Sequence, residues 1–156
     1  MENTAERKLT VAIGSDHAGP EVKERLATHL REAGFTVLDL GTFTADSCDY
    51  PVYAGKVCYA VTSGLADLGI LICGTGIGMS IAANKYKGII AAHCTDVFSA
   101  EMARQHNGAN VLCMGARISD YDSIEKMTDA FLSNEPLDEE KHARRRRMLA
   151  ELDANR

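Results

Sequence analysis

Two hydrophobic rhythms alternate along this chain. Short continuous apolar runs read as strands buried on both faces, and between them apolar residues recur at helical spacing. The predicted strands are Leu9 to Gly14 (LTVAIG), Phe35 to Leu40 (FTVLDL), Leu68 to Cys73 (LGILIC), Gly88 to His93 (GIIAAH) and Asn110 to Met114 (NVLCM). Gly19-Pro20 opens the first helix, because proline suits a first helical turn. Val22, Leu26 and Leu30 give that helix an apolar stripe, and Gly34 stops it. Pro51 starts a second helix through Tyr53, Val57 and Val61 that ends near Gly64. A third runs from the glycine loop at 74–78 to about Lys85. Thr95 is placed to cap a fourth, which carries Val97 to His106 and stops at Asn107-Gly108. Ser119 or Asp120 caps a fifth through Leu132, and a last helix spans roughly Asp138 to Asp153 after a short hinge at Pro136.

Five buried strands separated by helices imply a parallel sheet covered on both faces, wound right-handed into a three-layer, Rossmann-like α/β sandwich. The 156 residues suffice for one domain, 1–156, and show no tandem repeat. Ligands in such folds bind beyond the carboxyl ends of the strands. That rule picks out the stretches 14–19, 39–49, 73–78, 93–95 and 115–119.

Composition narrows the picture. Trp is absent and aromatics make up 6%, so the core must be aliphatic. A net charge of -5 argues against general nucleic-acid binding, although the segment 141–147 (KHARRRR) is strongly basic. The five cysteines are odd in number and form no CxxC, which fits reduced thiols in a cytoplasm rather than a disulfide framework or structural zinc. The polar start of the chain carries no apolar signal block, and no apolar run approaches the ~20 residues of a membrane helix.

The strongest chemical element is Cys73-Gly74-Thr75-Gly76-Ile77-Gly78, between an apolar strand and a helix start. Its glycines let backbone N–H groups turn toward an anion, and the helix end favours a thiolate at Cys73. Two other readings compete. One is a dinucleotide loop, against which the spacing is GxGxG rather than GxGxxG. The other is a tight turn with a buried cysteine. Asp16 and His17 leave the first strand on the same rim; the alternative for Asp16 alone is a helix cap. His106 ends a helix that starts on the rim, so it points away from its own strand ends and, if catalytic, serves another subunit. Lys141, Arg144 and Arg145 share one face of the last helix. Arg146 and Arg147 read as a solvated basic face. Cys94 is nearest the rim of the other thiols; Cys48, Cys58 and Cys113 read as loop or packing residues.

Taken together, GSDHAG, the DYP at 49–51, LICGTGIGMSIAANK, RQHNGANVL, MGAR at 114–117 and KHARR resemble the ribose-5-phosphate isomerase B family, which includes galactose-6-phosphate isomerase subunits. The resemblance runs from about Leu9 to Leu149. It implies a metal-free, cofactor-free aldose–ketose isomerase of sugar phosphates working through an enediol. It also implies a homodimer or homotetramer with sites shared between subunits, the C-terminal helix extending toward a partner. By position, Cys73 is implied as the base moving a proton between carbons 1 and 2. Gly74, Gly76, Ile77 and Gly78 would form an oxyanion hole, and Asp16, with Thr75 assisting, would handle hydroxyl protons. His106 would open the furanose ring and Asn107 would hold an oxygen of the intermediate. His17, Arg117 and Arg145 match phosphate contacts, and Tyr50 belongs with the substrate-binding residues. Relatives that lack the cysteine use a Glu aligned with Met79, so this chain is of the cysteine type. It departs from the pattern at Lys141, where the family usually has Arg, and Lys lacks the bidentate grip.

The favoured substrate is ribose 5-phosphate, in equilibrium with ribulose 5-phosphate. A six-carbon 6-phosphate or a tetrose phosphate is the alternative within the class. A self-sufficient homo-oligomer fits better than one half of a paired galactose-6-phosphate enzyme. A non-catalytic sugar-phosphate-binding module would need neither Cys73, Asp16 nor His106.

Overall fold

The computed structural model describes residues 7–156. The residues up to Glu6, and with them most of the polar start read above, lie outside the described residues.

The elements alternate as the hydrophobic rhythm predicts. They are β1 (Thr10–Ser15), α1 (Pro20–Glu32), β2 (Thr36–Asp39), α2 (Tyr50–Thr62), β3 (Leu68–Cys73), α3 (Ile77–Ala83), β4 (Ala91–His93), α4 (Val97–Gln105), β5 (Val111–Gly115), α5 (Tyr121–Leu132) and α6 (Glu140–Ala154). Among the described residues no helix is long and apolar enough to cross a membrane.

The five strands form one parallel sheet in the order β2-β1-β3-β5-β4. The winding reverses at β1: β2 lies on one side of it and β3 on the other. The crevice between the carboxyl ends of β1 and β3 is therefore the switch point where such sheets bind ligands. β5 inserts between β3 and β4, which leaves β4 at the edge.

Each strand feeds two cores by its pleat. Val11 and Ile13 of β1, Ile70 and Ile72 of β3, and Leu112 and Met114 of β5 pack with Leu26, Leu30, Ala100, Ile124 and Phe131. Ala12, Leu71, Cys73, Val111 and Cys113 face the opposite layer, with Ala54, Val57, Met79 and Ala83. Fully burying an Ile, Leu or Phe side chain contributes roughly 1.5–3 kcal/mol. The second layer is built mainly from small side chains, so α2 and α3 approach the sheet closely beside Cys73.

One helix start differs from expectation. Asp96, not Thr95, caps α4: its carboxylate accepts from the Ser99 N–H at 2.7 Å and from the Ser99 hydroxyl at 2.8 Å. This holds the Asp96 carboxyl below its ordinary range. Of the two candidates for α5, Asp120 is the cap, accepting from the Ser123 N–H at 2.8 Å. In both cases the residue directly before the helix has the extended backbone that aims a side chain at the third N–H. Glycine in the left-handed region follows α1 and α2, at Gly34 and Gly64.

α6 packs on its own chain through a stripe spaced along one face. His142 stacks on His106 with ring centres 4.0 Å apart, Arg146 donates to the His106 and Leu137 carbonyls, and Asp153 accepts from the Gly88 N–H. Arg146 is thus not the solvated basic residue that its neighbours suggest. The other face, with Lys141, Arg144, Arg145, Met148 and Leu152, is exposed. Burial, then the neighbouring His106 and Lys141 charges, push the His142 imidazole below its usual pKa.

Replacing Arg146 with alanine removes two charge-assisted bonds to carbonyls. The expected cost is about 1–2 kcal/mol, or a Tm lower by roughly 3–6 °C. Thermal unfolding followed by circular dichroism checks this, and the exposed Arg144→Ala chain should unfold at the parental temperature.

Candidate active site

The rim begins at Asp16. Its N–H donates to the Ile72 carbonyl at 3.1 Å, which ties the end of β1 to β3. Its carboxylate accepts from the Ala18 N–H at 2.9 Å, closing a local turn. It does not cap α1, whose N-cap position is Gly19 and has no side-chain cap. Asp16 is buried, yet it sits at the mouth of the switch-point crevice.

His17 follows. The N–H of Cys48 donates to its Nδ1 at 3.2 Å. The Cys48 carbonyl lies 3.3 Å from the same Nδ1, so the Cys48 backbone holds the ring in either tautomer.

Cys73 ends β3 with 5% of its surface exposed. The N–H of Gly76 donates to its sulfur at 3.1 Å, and the N–H of Ile77 donates to the Thr75 hydroxyl at 3.2 Å. Burial raises Cys58 and Cys94 to about 11 and Cys113 well above its ordinary value, so all three stay protonated at neutral pH.

The loop is shaped by two glycines that no larger residue can replace without a shift. Gly76 has φ +83°, and a Cβ there would meet the His93 ring at 2.7 Å and the Met114 carbonyl carbon at 2.9 Å. A Cβ on Gly115 would meet the Thr75 backbone at 2.5 Å. The second contact exists only because β5 lies beside β3.

The same adjacency places Arg117. Its N–H donates to the Gly74 carbonyl at 2.9 Å, and its guanidinium lies over Gly74, with Nη1 3.1 Å from where a Cβ would stand. Tyr50, at the start of α2, lays its ring against Gly78. His93 was missed as a site residue: its Nε2 bonds the Thr75 carbonyl at 2.7 Å and braces the loop. The signal available was its place at the carboxyl end of β4.

The rim therefore gathers Asp16, His17, Tyr50, Cys73 to Gly78 and Arg117. It does not gather the rest. Asn110, just past the turn that holds His106 and Asn107, accepts from the Gly69 N–H at 2.9 Å, one residue into β3 from its amino end. Cys73 is at the other end of that strand, about 13 Å away at the usual ~3.3 Å per residue. His106 and Asn107 thus lie across the sheet from Cys73 in one chain. α6 docks beside them through His142 and Arg146, so Lys141 and Arg145 travel with His106. Among the described residues no carboxylate forms an ion pair with Arg117 or Arg145, whereas Lys141 lies 3.6 Å from Glu139. The only described cluster with metal-ligand character, His29, Glu125 and Asp129, is between α1 and α5, away from the rim.

A parallel α/β sheet that carries a thiol, a carboxylate, an imidazole, a guanidinium and a glycine loop at its switch point has the layout of an α/β enzyme. Comparison with known proteins identifies the family. Residues 11–149 match the ribose/galactose isomerase family. The chain is 47% identical over 122 residues to ribose-5-phosphate isomerase B of Escherichia coli, covering 78% of this chain and 82% of that protein. It is 41% identical over 124 residues to galactose-6-phosphate isomerase subunit LacB of Clostridium acetobutylicum, covering 80% and 72%. Among solved structures, Clostridium thermocellum ribose-5-phosphate isomerase B superposes with a TM-score of 0.90 at 42% identity, covering 94% of this chain and 99% of that one. The Mycoplasma genitalium enzyme with bound ribulose-5-phosphate superposes at 0.89 and 38% identity, covering 94% and 97%. The chain belongs to the ribose/galactose isomerase family and is a sugar-phosphate isomerase.

Proposed function

We propose that this protein interconverts ribose 5-phosphate and ribulose 5-phosphate. The observation that carries the reading is Cys73: a thiol at the switch point, with the Gly76 N–H on its sulfur, beside a loop of backbone donors. The bound ribulose-5-phosphate of the Mycoplasma relative and the E. coli relative's activity support the substrate.

In this mechanism His106 opens the furanose by passing a proton from the anomeric hydroxyl to the ring oxygen as the bond between carbon 1 and that oxygen breaks, and the opened aldehyde lies in the crevice between β1 and β3. The Cys73 thiolate takes the proton from carbon 2 and returns it to carbon 1. Loop N–H groups from Gly74 to Gly78 hold the negative oxygen of the enediolate. Asp16, assisted by Thr75, moves the hydroxyl proton between the two oxygens. Asn107 holds an oxygen of the intermediate, and Tyr50 walls the pocket beside Gly78. His17, Arg117, Arg145 and Lys141 bind the phosphate.

Because Cys73 and His106 lie at opposite ends of the sheet in one chain, the site is completed by a second copy. That copy brings His106 and Asn107, with Lys141 and Arg145 on the α6 docked beside them. The assembly is a homodimer, or a homotetramer of such pairs, acting in the cytoplasm.

A coupled assay across pentose, hexose and tetrose phosphates tests the substrate. Ribose 5-phosphate should give the highest kcat/KM; a higher value for a six-carbon 6-phosphate would reassign it. Activity should also survive exhaustive chelation, since the oxyanion is held by backbone N–H groups. Loss with chelator and recovery with a divalent ion would refute this mechanism.

A further inference from the structure

The most deeply buried cation among the described residues is outside the machinery described above. Lys23, on the inner face of α1, is 1% exposed and is among the largest fully buried side chains of the described residues. Its ammonium donates to both oxygens of Asp39 at 2.6 and 2.7 Å, and the Phe43 ring lies over it, 4.7 Å away. An ion pair with a buried ammonium gives a fold little stability that a well-packed apolar pair would not give as well. Its geometry supplies a different use. Asp39 Oδ1 also accepts from the Gly41 N–H at 3.1 Å. Gly41 in turn accepts from the Ser15 N–H at 2.7 Å, and the Thr42 N–H donates to the Ser15 carbonyl at 2.8 Å. The Ser15 hydroxyl is buried with no partner among the described residues, so main-chain bonds alone hold this residue. Ser15 is the residue before Asp16 and His17. The loop anchored at Gly41 continues to Cys48, whose N–H holds the His17 ring.

We infer that Lys23 and Asp39 are positioning residues for the isomerase site. Through Gly41 and Thr42 the pair clamps Ser15, and so fixes where Asp16 and His17 stand on the rim. Lys23 locks the rotamer of the Asp39 carboxylate; that carboxylate fixes the loop; the loop fixes the two residues read above as proton carrier and phosphate donor. The inference rests on that reading of Asp16 and His17.

Two neutral double variants test it. Lys23→Met with Asp39→Leu keeps the volume, leaves no lone buried charge and deletes the acceptor for the Gly41 N–H. Lys23→Met with Asp39→Asn restores that acceptor. The first should stay folded, exchange its Ser15 and Thr42 amide hydrogens at least tenfold faster, and lose at least tenfold in kcat/KM. Part of the loss should be in kcat, from Asp16, and part in KM, from His17. The second should stay within about threefold of the parent in both. A folded Met/Leu chain with kcat and KM within twofold of the parent overturns the inference, and so do equal losses in the two variants. If the Met/Leu chain does not fold, the single Lys23→Met chain decides: faster Ser15 and Thr42 exchange with a matching fall in kcat/KM supports the clamp, and parental values of both overturn it. A parent chain inactive on ribose 5-phosphate would instead defeat the functional reading, and amide exchange would still judge the clamp.

Discussion

Replacing Cys73 with alanine is expected to lower kcat by at least about 100-fold while KM changes little, the loss typical of a removed general base. Binding should survive because the groups read as phosphate contacts, His17, Arg117, Lys141 and Arg145, are untouched. No other thiol can take over the role: Cys58, Cys94 and Cys113 are buried and held protonated, and Cys48 stands by His17 on the loop after β2. Steady-state kinetics on a chain with parental circular dichroism checks the result, and a near-parental rate would reduce Cys73 to a packing residue. The half-buried Cys48, its sulfur 4.0 Å from His17 Nδ1, would confuse a simple alkylation experiment. Alkylation is therefore best done in a Cys48→Ser background, where inactivation should persist and bound substrate should slow it.

The second large effect is recovery on mixing. Cys73→Ala and His106→Ala chains should each be nearly inactive alone. After subunit exchange, mixed dimers carry one site with both residues intact. Random pairing in equal amounts then restores about a quarter of parental activity, from a starting level about 100-fold or more down. The motive is the roughly 13 Å of sheet between Cys73 and the level of His106 in one chain. Labelled chains and native mass spectrometry establish that exchange has occurred. No recovery despite exchange would mean that each chain completes its own site, and the shared-site arrangement would be wrong.

Much of the architecture is written in local pattern. The alternation of apolar runs and helical stripes yields five strands and six helices, because burial on both faces of a parallel sheet demands unbroken apolar strands. Residue chemistry also singles out Cys73 to Gly78 and Asp16-His17, since each leaves a strand at its carboxyl end. The direction of α4 alone separates His106 from the rim. Cap identity was less legible. Thr95 and Asp96 are both competent, and backbone geometry at the helix entry chooses Asp96.

Strand order, by contrast, is set by long-range packing that no local window encodes. Only the folded sheet puts β5 beside β3. That adjacency lays Arg117 over Gly74 and presses Gly115 against Thr75. Only the docking of α6 turns Arg146 from a surface charge into a clamp on the His106 carbonyl, and groups Lys141 and Arg145 with His106. Only the packing of α1 on the sheet buries Lys23 against Asp39. The sequence by itself determined which elements form and which residue types reach the strand ends, because helical and strand periodicities are local. The tertiary structure decided which of those residues meet, because that depends on contacts between segments far apart in the chain.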